Sequence, residues 1–391
     1  MDFGRLRMRG TRAIIHINNF KHNINQIKTF INPGVKLCVA VKANAYGHGA
    51  AECATAALEC GADFLAIATV DEGRELREKG IKAPLLMLSL CSPEEVSQAV
   101  TLNITPLVFD SEYIELFAKE AVAQKKQGYR VHLAVDTGMG RIGCLPEEAA
   151  GLAKEIASTG ILVQEGTCTH FALSDDKSPK GIDFTEEQFK AFKMAIDGIR
   201  KAGLNPGLCH CANSAATLDH PEMQLDMVRP GIIVYGYYAD EVSKEYLEQK
   251  GTPLDLLPVM TLETQISSIR WFEKGKSVGY GRTWKAEEET NIAVLPIGYG
   301  DGWLRRFSQL GVPVAIGGKS YPIRGRICMD QCMVDIGKDT GSIKRWDKVI
   351  LFGDEKDGAL QTADNIAALT GTISYEITSC ITSRVPRIFT L

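Results

Sequence analysis

The sequence predicts an α/β protein: a (β/α)8 TIM-type barrel followed by a mostly β C-terminal domain. Three observations carry that expectation. From residue 36 to about 235, short apolar runs rich in β-branched residues alternate with longer segments of helical pattern. There are eight such runs, the number that closes a parallel barrel. After residue 245 the texture changes to strand-like runs separated by Gly-rich turns. The expected division is therefore a barrel over residues 1–245, with the first residues free to join the β domain, and a β domain over residues 246–391.

The eight runs are KLCVAV (36–41), DFLAIA (63–68), PLLMLS (84–89), ITPLVF (104–109), RVHLAVD (130–136), ILVQEGTCTH (161–170), PGLCH (206–210) and QLDMVR (224–229). Between them lie helix patterns such as AECATAALECG and VDEGRELREKG, both ending in the glycine that often terminates a helix. Later helices are expected at SPEEVSQAV and TEEQFKAFKMAIDGIRKAG, with Ser92 and Thr185 as N-caps. A doubly wound open sheet is the alternative, but it wants a Gly-rich turn after the first strand, and KANAYGHG matches G-x-G-x-x-G poorly. Beyond residue 245, MTLETQISSIRWF, NIAVLPIG, PVAIGGKSYPIRGRICMDQCMVDIG and DKVILFG read as strands; the short helix TADNIAALTG precedes a terminal strand in RVPRIFTL.

With 391 residues and 45% hydrophobic content the chain can bury a large core. A net charge of -4 and a pI near 6.0 imply no face for nucleic acid or an anionic membrane. MDFGRLRMRGTRAIIHINNF has no continuous apolar core and no stretch of 18 apolar residues occurs, so neither a secretory signal nor a membrane span is expected. Eleven scattered cysteines suit reduced thiols in a cytoplasm. Cys209 with Cys211 and Cys328 with Cys332 lack the paired CxxC spacing of a zinc site, so no metal is expected.

In a barrel, catalytic groups gather at the C-terminal ends of the strands. Lys42 follows the first run, and Arg141 lies in DTGMGRIG after the fifth. His170 ends the sixth, Asn213 and Ser214 follow the seventh, and Arg229 and Gly231 belong to the eighth and its loop. Each has an ordinary structural reading: a solvated strand-end charge, an N-cap, a tight turn, an ion pair. Their concentration on one rim favours a site. The loops after the seventh and eighth strands are the usual phosphate site of such barrels, and here they offer Asn213, Ser214 and the backbone N–H groups of Gly231 and Ile232. A lysine beside a phosphate cradle suggests pyridoxal phosphate (PLP), whose aldehyde an amine can hold. A free lysine titrates at about 10.4, so burial and nearby cations such as Arg229 must lower it.

The chain resembles the fold-type III, PLP-dependent alanine racemases over nearly its whole length. The resemblance rests on AVKANAYGHG, VDTGMGRIG, THFA, HCANSAA, VRPGIIVYG, VGYGRTW, PIGYGDGW, GRICMDQ and SYEITSCITSRVPRIF, in the family's order and spacing. It implies a PLP-dependent isomerase that interconverts L- and D-alanine and supplies D-alanine for peptidoglycan. Lys42 would hold PLP and act as one base, and Tyr280 of the partner subunit as the other, which implies a homodimer with shared sites. Tyr46 would pack by the cofactor; Asn213, Ser214, Gly231, Ile232 and Tyr375 would hold its phosphate. Arg229, backed by His170, would meet the pyridine nitrogen. Arg141 would orient the cofactor and, with the Met329 amide, take the substrate carboxylate; Asp175, Tyr299, Arg305 and Arg326 would line the entrance. Alternatives are a relative acting on serine or a broader range, a PLP-barrel decarboxylase, whose GGG phosphate loop is missing here, and a lone-barrel PLP homeostasis protein, which the β domain argues against. One departure stands out. Many family members carry a carbamylated lysine two residues before the aspartate of DTGMGR, and here that position is Ala134. Arg141 would then need another anion, with chloride the expected occupant and a carboxylate of the chain its rival.

Overall fold

The computed structural model describes residues 9–391. Strand β1 (Arg12–His16) precedes the eight barrel strands: β2 (Lys36–Ala40), β3 (Phe64–Ile67), β4 (Leu85–Met87), β5 (Ile104–Val108), β6 (Tyr129–Ala134), β7 (Leu162–Cys168), β8 (Leu208–His210) and β9 (Met227–Val228). Each falls inside or within a residue of the run that predicts it. They form one parallel sheet in the order β8-β7-β6-β5-β4-β3-β2-β9. The ends meet through two backbone bonds, the Asp226 amide donating to the Cys209 carbonyl (3.0 Å) and the Arg229 amide to the Ala212 carbonyl (2.9 Å), so the sheet closes.

The connecting helices include Ala50–Glu59 and Val70–Glu78, whose buried Val70, Gly73 and Leu76 face the barrel. The segment at Ser92 starts where expected, with the Ser92 amide donating to the Glu95 carboxylate at 2.8 Å. Thr185 is not a cap. The helix runs from Pro179 to Lys201, and Ser178 accepts from the Gly181 amide at 3.2 Å. Ser178 followed by proline is a stronger start, because proline has no N–H to satisfy in the first turn. Thr185 lies buried about two turns further on, its hydroxyl returned to the Gly181 carbonyl at 2.9 Å.

The C-terminal residues build a six-stranded sheet in the order 319–322, 313–316, 348–352, 260–265, β1, 387–390, and a three-stranded sheet of 268–272, 290–295 and 332–337. Strand β1 is antiparallel to 260–265 and parallel to 387–390, so the chain's start is woven into the sheet of its end. The helix Ala363–Thr370, capped by Thr362, is followed by Ser374–Ser379, which packs against the loop after β2. A Cβ on Gly47 of that loop would strike the Thr378 carbonyl. Through this contact the β domain reaches the barrel rim. No described helix is long and apolar enough to cross a membrane.

Candidate active site

Lys42 opens a turn in which Ala43, Asn44, Ala45 and Tyr46 all adopt φ between 51° and 54°. A left-handed helical conformation costs an L-residue roughly 1–2 kcal/mol, so four in a row persist only when the surroundings hold them. Backbone bonds run from Ala45 to Val41 (2.8 Å), Gly47 to Ala43 (2.9 Å) and Gly49 to Asn44 (2.9 Å). The Asn44 side-chain oxygen accepts from the Ala50 amide at 2.8 Å. Glu72, on the next helix, accepts from the amides of Ala43 (2.6 Å), Ala68 (2.7 Å) and Thr69 (3.3 Å). The ring of Tyr46 packs against those of Tyr235 and Tyr375, with centroids 5.1 and 5.6 Å away.

This turn sets the Lys42 side chain in the wall of a cavity over the barrel. The cavity has two adjoining chambers, which share Lys42, Leu88, His170 and Arg229. One chamber adds Tyr46, Asp175, Asn213, Ser214, Gly231 and Tyr375. There Ser214 Oγ accepts from the Gly231 amide at 2.9 Å, and Asn213 Oδ1 accepts from the Ala216 amide (3.1 Å) and the Ser174 hydroxyl (2.9 Å). A Cβ on Gly231 would lie 2.8 Å from the Tyr46 hydroxyl, so glycine keeps this backbone close and open. Ile232 begins the turn Ile232–Tyr235, and its own side chain is buried rather than lining the chamber. The other chamber adds Ala134, Asp136, Met139 and Arg141.

Arg229 sits under both chambers, 6% exposed. Its Nη1 donates to His210 Nδ1 at 2.6 Å; its Nη2 donates to the Thr169 carbonyl at 2.8 Å and lies 3.4 Å from His170 Nδ1. All these partners are neutral groups, so the cation is stabilised by dipoles rather than by an adjacent carboxylate. Lys42 is held below its ordinary pKa, first by burial and then by Arg141 and Arg229, while Glu72 opposes the shift. His170 is pushed down to about 3 by burial and by Arg229, Arg141 and Lys42, and stays neutral. Asp175 is held up, first by burial, with Asp240 beside it. The chambers thus combine an amine that loses its proton more readily than a free lysine, a cluster of polar groups around a glycine, and a fixed buried cation.

Tyr280, Tyr299, Arg305, Arg326 and Met329 belong to the C-terminal domain and do not line these chambers. Tyr280 is 71% exposed on the turn Tyr280–Arg282. A Cβ on its neighbour Gly281 would come within 3.0 Å of the Arg326 guanidinium. The Tyr299 amide donates to the Cys328 carbonyl (3.1 Å) and the Gly300 amide to the Met329 carbonyl (2.9 Å). Tyr299 and Met329 are exposed as well. Sequence reasoning did not single out Glu72, His210 or Thr169. The T-x-x-E of Thr69 to Glu72 signals a capping box, but not the reach to Ala43. Among the described residues, no group of three or more His, Cys, Asp or Glu is arranged to hold a metal ion; Cys209 and Cys211 are both buried.

Comparison with known proteins agrees with this geometry. Residues 15–239 match the model of the alanine racemase N-terminal domain and residues 259–389 that of the alanine racemase C-terminal domain. An alanine racemase of Treponema denticola is 49% identical over 98% of both chains, and one of Desulforamulus reducens is 42% identical over 96% of this chain and 98% of that one. Among solved structures, alanine racemase of Clostridium difficile superposes with a TM-score of 0.89 at 36% identity, covering 98% of this chain and 96% of that one. The Bacillus anthracis alanine racemase with bound L-Ala-P gives 0.89 at 34% identity, covering 99% and 96%. The chain belongs to the alanine racemase family, isomerases that interconvert the two enantiomers of alanine.

Proposed function

We propose that the chain racemises alanine with PLP in the Lys42 cavity, by a two-base mechanism completed by a second copy of itself. The observation that carries this reading is the meeting of Lys42, a glycine-centred cradle and a buried Arg229 in one cavity. These residues fit PLP: Lys42 for the aldehyde, Arg229 for the ring nitrogen, and Asn213, Ser214, Tyr375 and the Gly231 and Ile232 amides for the phosphate. PLP when bound supplies the electron sink that acidifies the substrate Cα–H. Arg229, a donor that does not readily give up a proton, favours an unprotonated ring nitrogen and so disfavours transamination. His170 stays uncharged behind it.

Racemisation takes a proton from one face of Cα and returns one to the other, so it needs two groups on opposite sides. Lys42 serves one face, and the burial and neighbouring arginines that lower its pKa favour the free amine that accepts the proton. Tyr280 of the partner subunit serves the other; the exposure of Tyr280, away from its own chain's cavity, supports this assignment. Arg141 and the Met329 amide orient the substrate carboxylate, and Asp175, Tyr299, Arg305 and Arg326 form the entrance. The enzyme supplies D-alanine for peptidoglycan in the cytoplasm, a setting that the eleven unpaired cysteines suit.

Mixing inactive Lys42→Ala chains with inactive Tyr280→Phe chains tests the reading. One of the two sites in the mixed dimer is intact, so L- to D-alanine conversion returns in part. No recovery despite measured subunit exchange removes Tyr280 from the partner's site. In parallel, borohydride reduction and peptide mapping should find the pyridoxyl group on Lys42, and label on another lysine overturns the cofactor assignment.

A further inference from the structure

The centre of the barrel holds polar side chains where aliphatic layers are usual. His132 and His210 are both fully buried. His132 Nδ1 lies 2.8 Å from His210 Nε2, and His132 Nε2 faces Glu165 Oε2 at 3.4 Å, a charge–dipole contact in which neither atom completes a hydrogen bond. The other oxygen of Glu165 accepts from Arg130 at 2.8 Å, on the exposed foot of the barrel. Together with the bond from Arg229 to His210, these contacts make a row from the cavity floor to the opposite end of the barrel.

Hydrogen-bond chemistry gives the row one direction. A guanidinium only donates, so His210 Nδ1 must accept. A neutral His210 then carries its proton on Nε2 and donates to His132 Nδ1. His132 in turn carries its proton on Nε2, aimed at the Glu165 carboxylate. Burial holds both imidazoles below their ordinary pKa. Burial pushes Glu165 up, but His132 and Arg130 outweigh it and keep it ionised.

The backbone is shaped around this row. The pairing of β6 with β7 slips between Val131 and His132: Val131 faces Gln164 and His132 faces Gly166, leaving Glu165 as the extra residue of a bulge. Bulges re-aim a side chain. A Cβ on Gly166 would lie 2.7 Å from the His132 ring, so glycine clears the space through which His132 reaches His210.

We propose that His132 and Glu165 are positioning residues for Arg229: they hold His210 in the tautomer whose Nδ1 lone pair seats the guanidinium in the cavity floor. Their effect on PLP rests on the cofactor reading above. The effect on His210 does not.

Nitrogen-15 NMR of labelled histidines in the cofactor-free chain reads the row directly. His132 and His210 should both be neutral Nε2–H tautomers at neutral pH; an Nδ1–H or cationic form of either overturns the proposal. In Glu165→Leu the buried His132 Nε2–H loses the carboxylate that faces it at 3.4 Å. The tautomers of both rings should then mix, and PLP should bind more weakly by about tenfold, the low end of what outer hydrogen-bond partners are worth at metal sites. Glu165→Gln keeps an acceptor oxygen and should retain the parent tautomers and most of the affinity. A folded Glu165→Leu chain with the parent's imidazole spectrum and PLP affinity overturns the proposal. If that variant does not fold, the parent spectrum still decides. If the parent fails to bind PLP while showing both Nε2–H rings, the cofactor reading falls and the row stands.

Discussion

Glu72 should be the latch of the Lys42 turn, and Glu72→Gln should loosen it. The turn stores strain: four left-handed non-glycine residues at roughly 1–2 kcal/mol each amount to about 4–8 kcal/mol. One Glu72 oxygen accepts from Ala43 at 2.6 Å, the other from Ala68 at 2.7 Å and Thr69 at 3.3 Å. Glutamine has one acceptor oxygen. Turned toward Ala68 and Thr69, it presents an NH2 group to the Ala43 N–H, and the bond into the turn is lost. A hydrogen bond to a charged group contributes about 1.5–3 kcal/mol, so the local opening free energy should fall by about 2–3 kcal/mol. Amide exchange at Ala45, Gly47 and Gly49, whose hydrogen bonds define the turn, should accelerate by about 30- to 150-fold, while the core strands keep their protection. Glu75→Gln, an exposed carboxylate on the same helix, is the control. Unchanged exchange at those three amides in a folded Glu72→Gln chain would refute the latch and leave the aromatic packing of Tyr46 as what holds the turn.

Acid should destabilise the cofactor-free chain. His48 is held down to about 4 and His170 to about 3, both mainly by burial, so between those values and about 6.5 the unfolded chain binds protons that the folded one refuses. Stability is therefore full above about 6.5 and falls as pH drops through that window; urea midpoints at two pH values should show a shallower slope in His170→Asn, and an unchanged slope would exclude His170 as a source. At Ala134, beside Arg141 in the second chamber, a methyl group cannot carry a carbamate, and Arg141 makes no ion pair among the described residues. Activity should then be indifferent to bicarbonate and fall when chloride is replaced by a large anion at constant ionic strength, whereas full activity without chloride would favour a carboxylate partner.

What could be read from the sequence, and what could not, follows from how far apart the determining residues lie. The barrel strands were legible because a β-branched run and the helix after it are local signals. The rim residues were legible because topology collects strand ends, so Lys42, Asn213 and Arg229 converge once eight strands are assumed. The left-handed turn was hidden: Ala43 to Tyr46 contain no glycine, and the residues that contact them, Glu72, Tyr235 and Tyr375, lie elsewhere in the chain. Strand β1 was only loosely placed, because its partners lie some two hundred and fifty residues or more downstream. Thr185 misled because a hydroxyl before two glutamates looks like a cap, whereas Ser178 and Pro179 outcompete it. His132 shows the limit most clearly. In VHLAV it reads as one buried position of an apolar strand. Its polar neighbours His210 and Glu165, and the space at Gly166, come from two other strands. A lone imidazole in an apolar interior is costly, so a polar neighbourhood had to be built along with it. Tyr280 marks the other limit: its ring is exposed on its own chain, so no packing within the chain signals what it does.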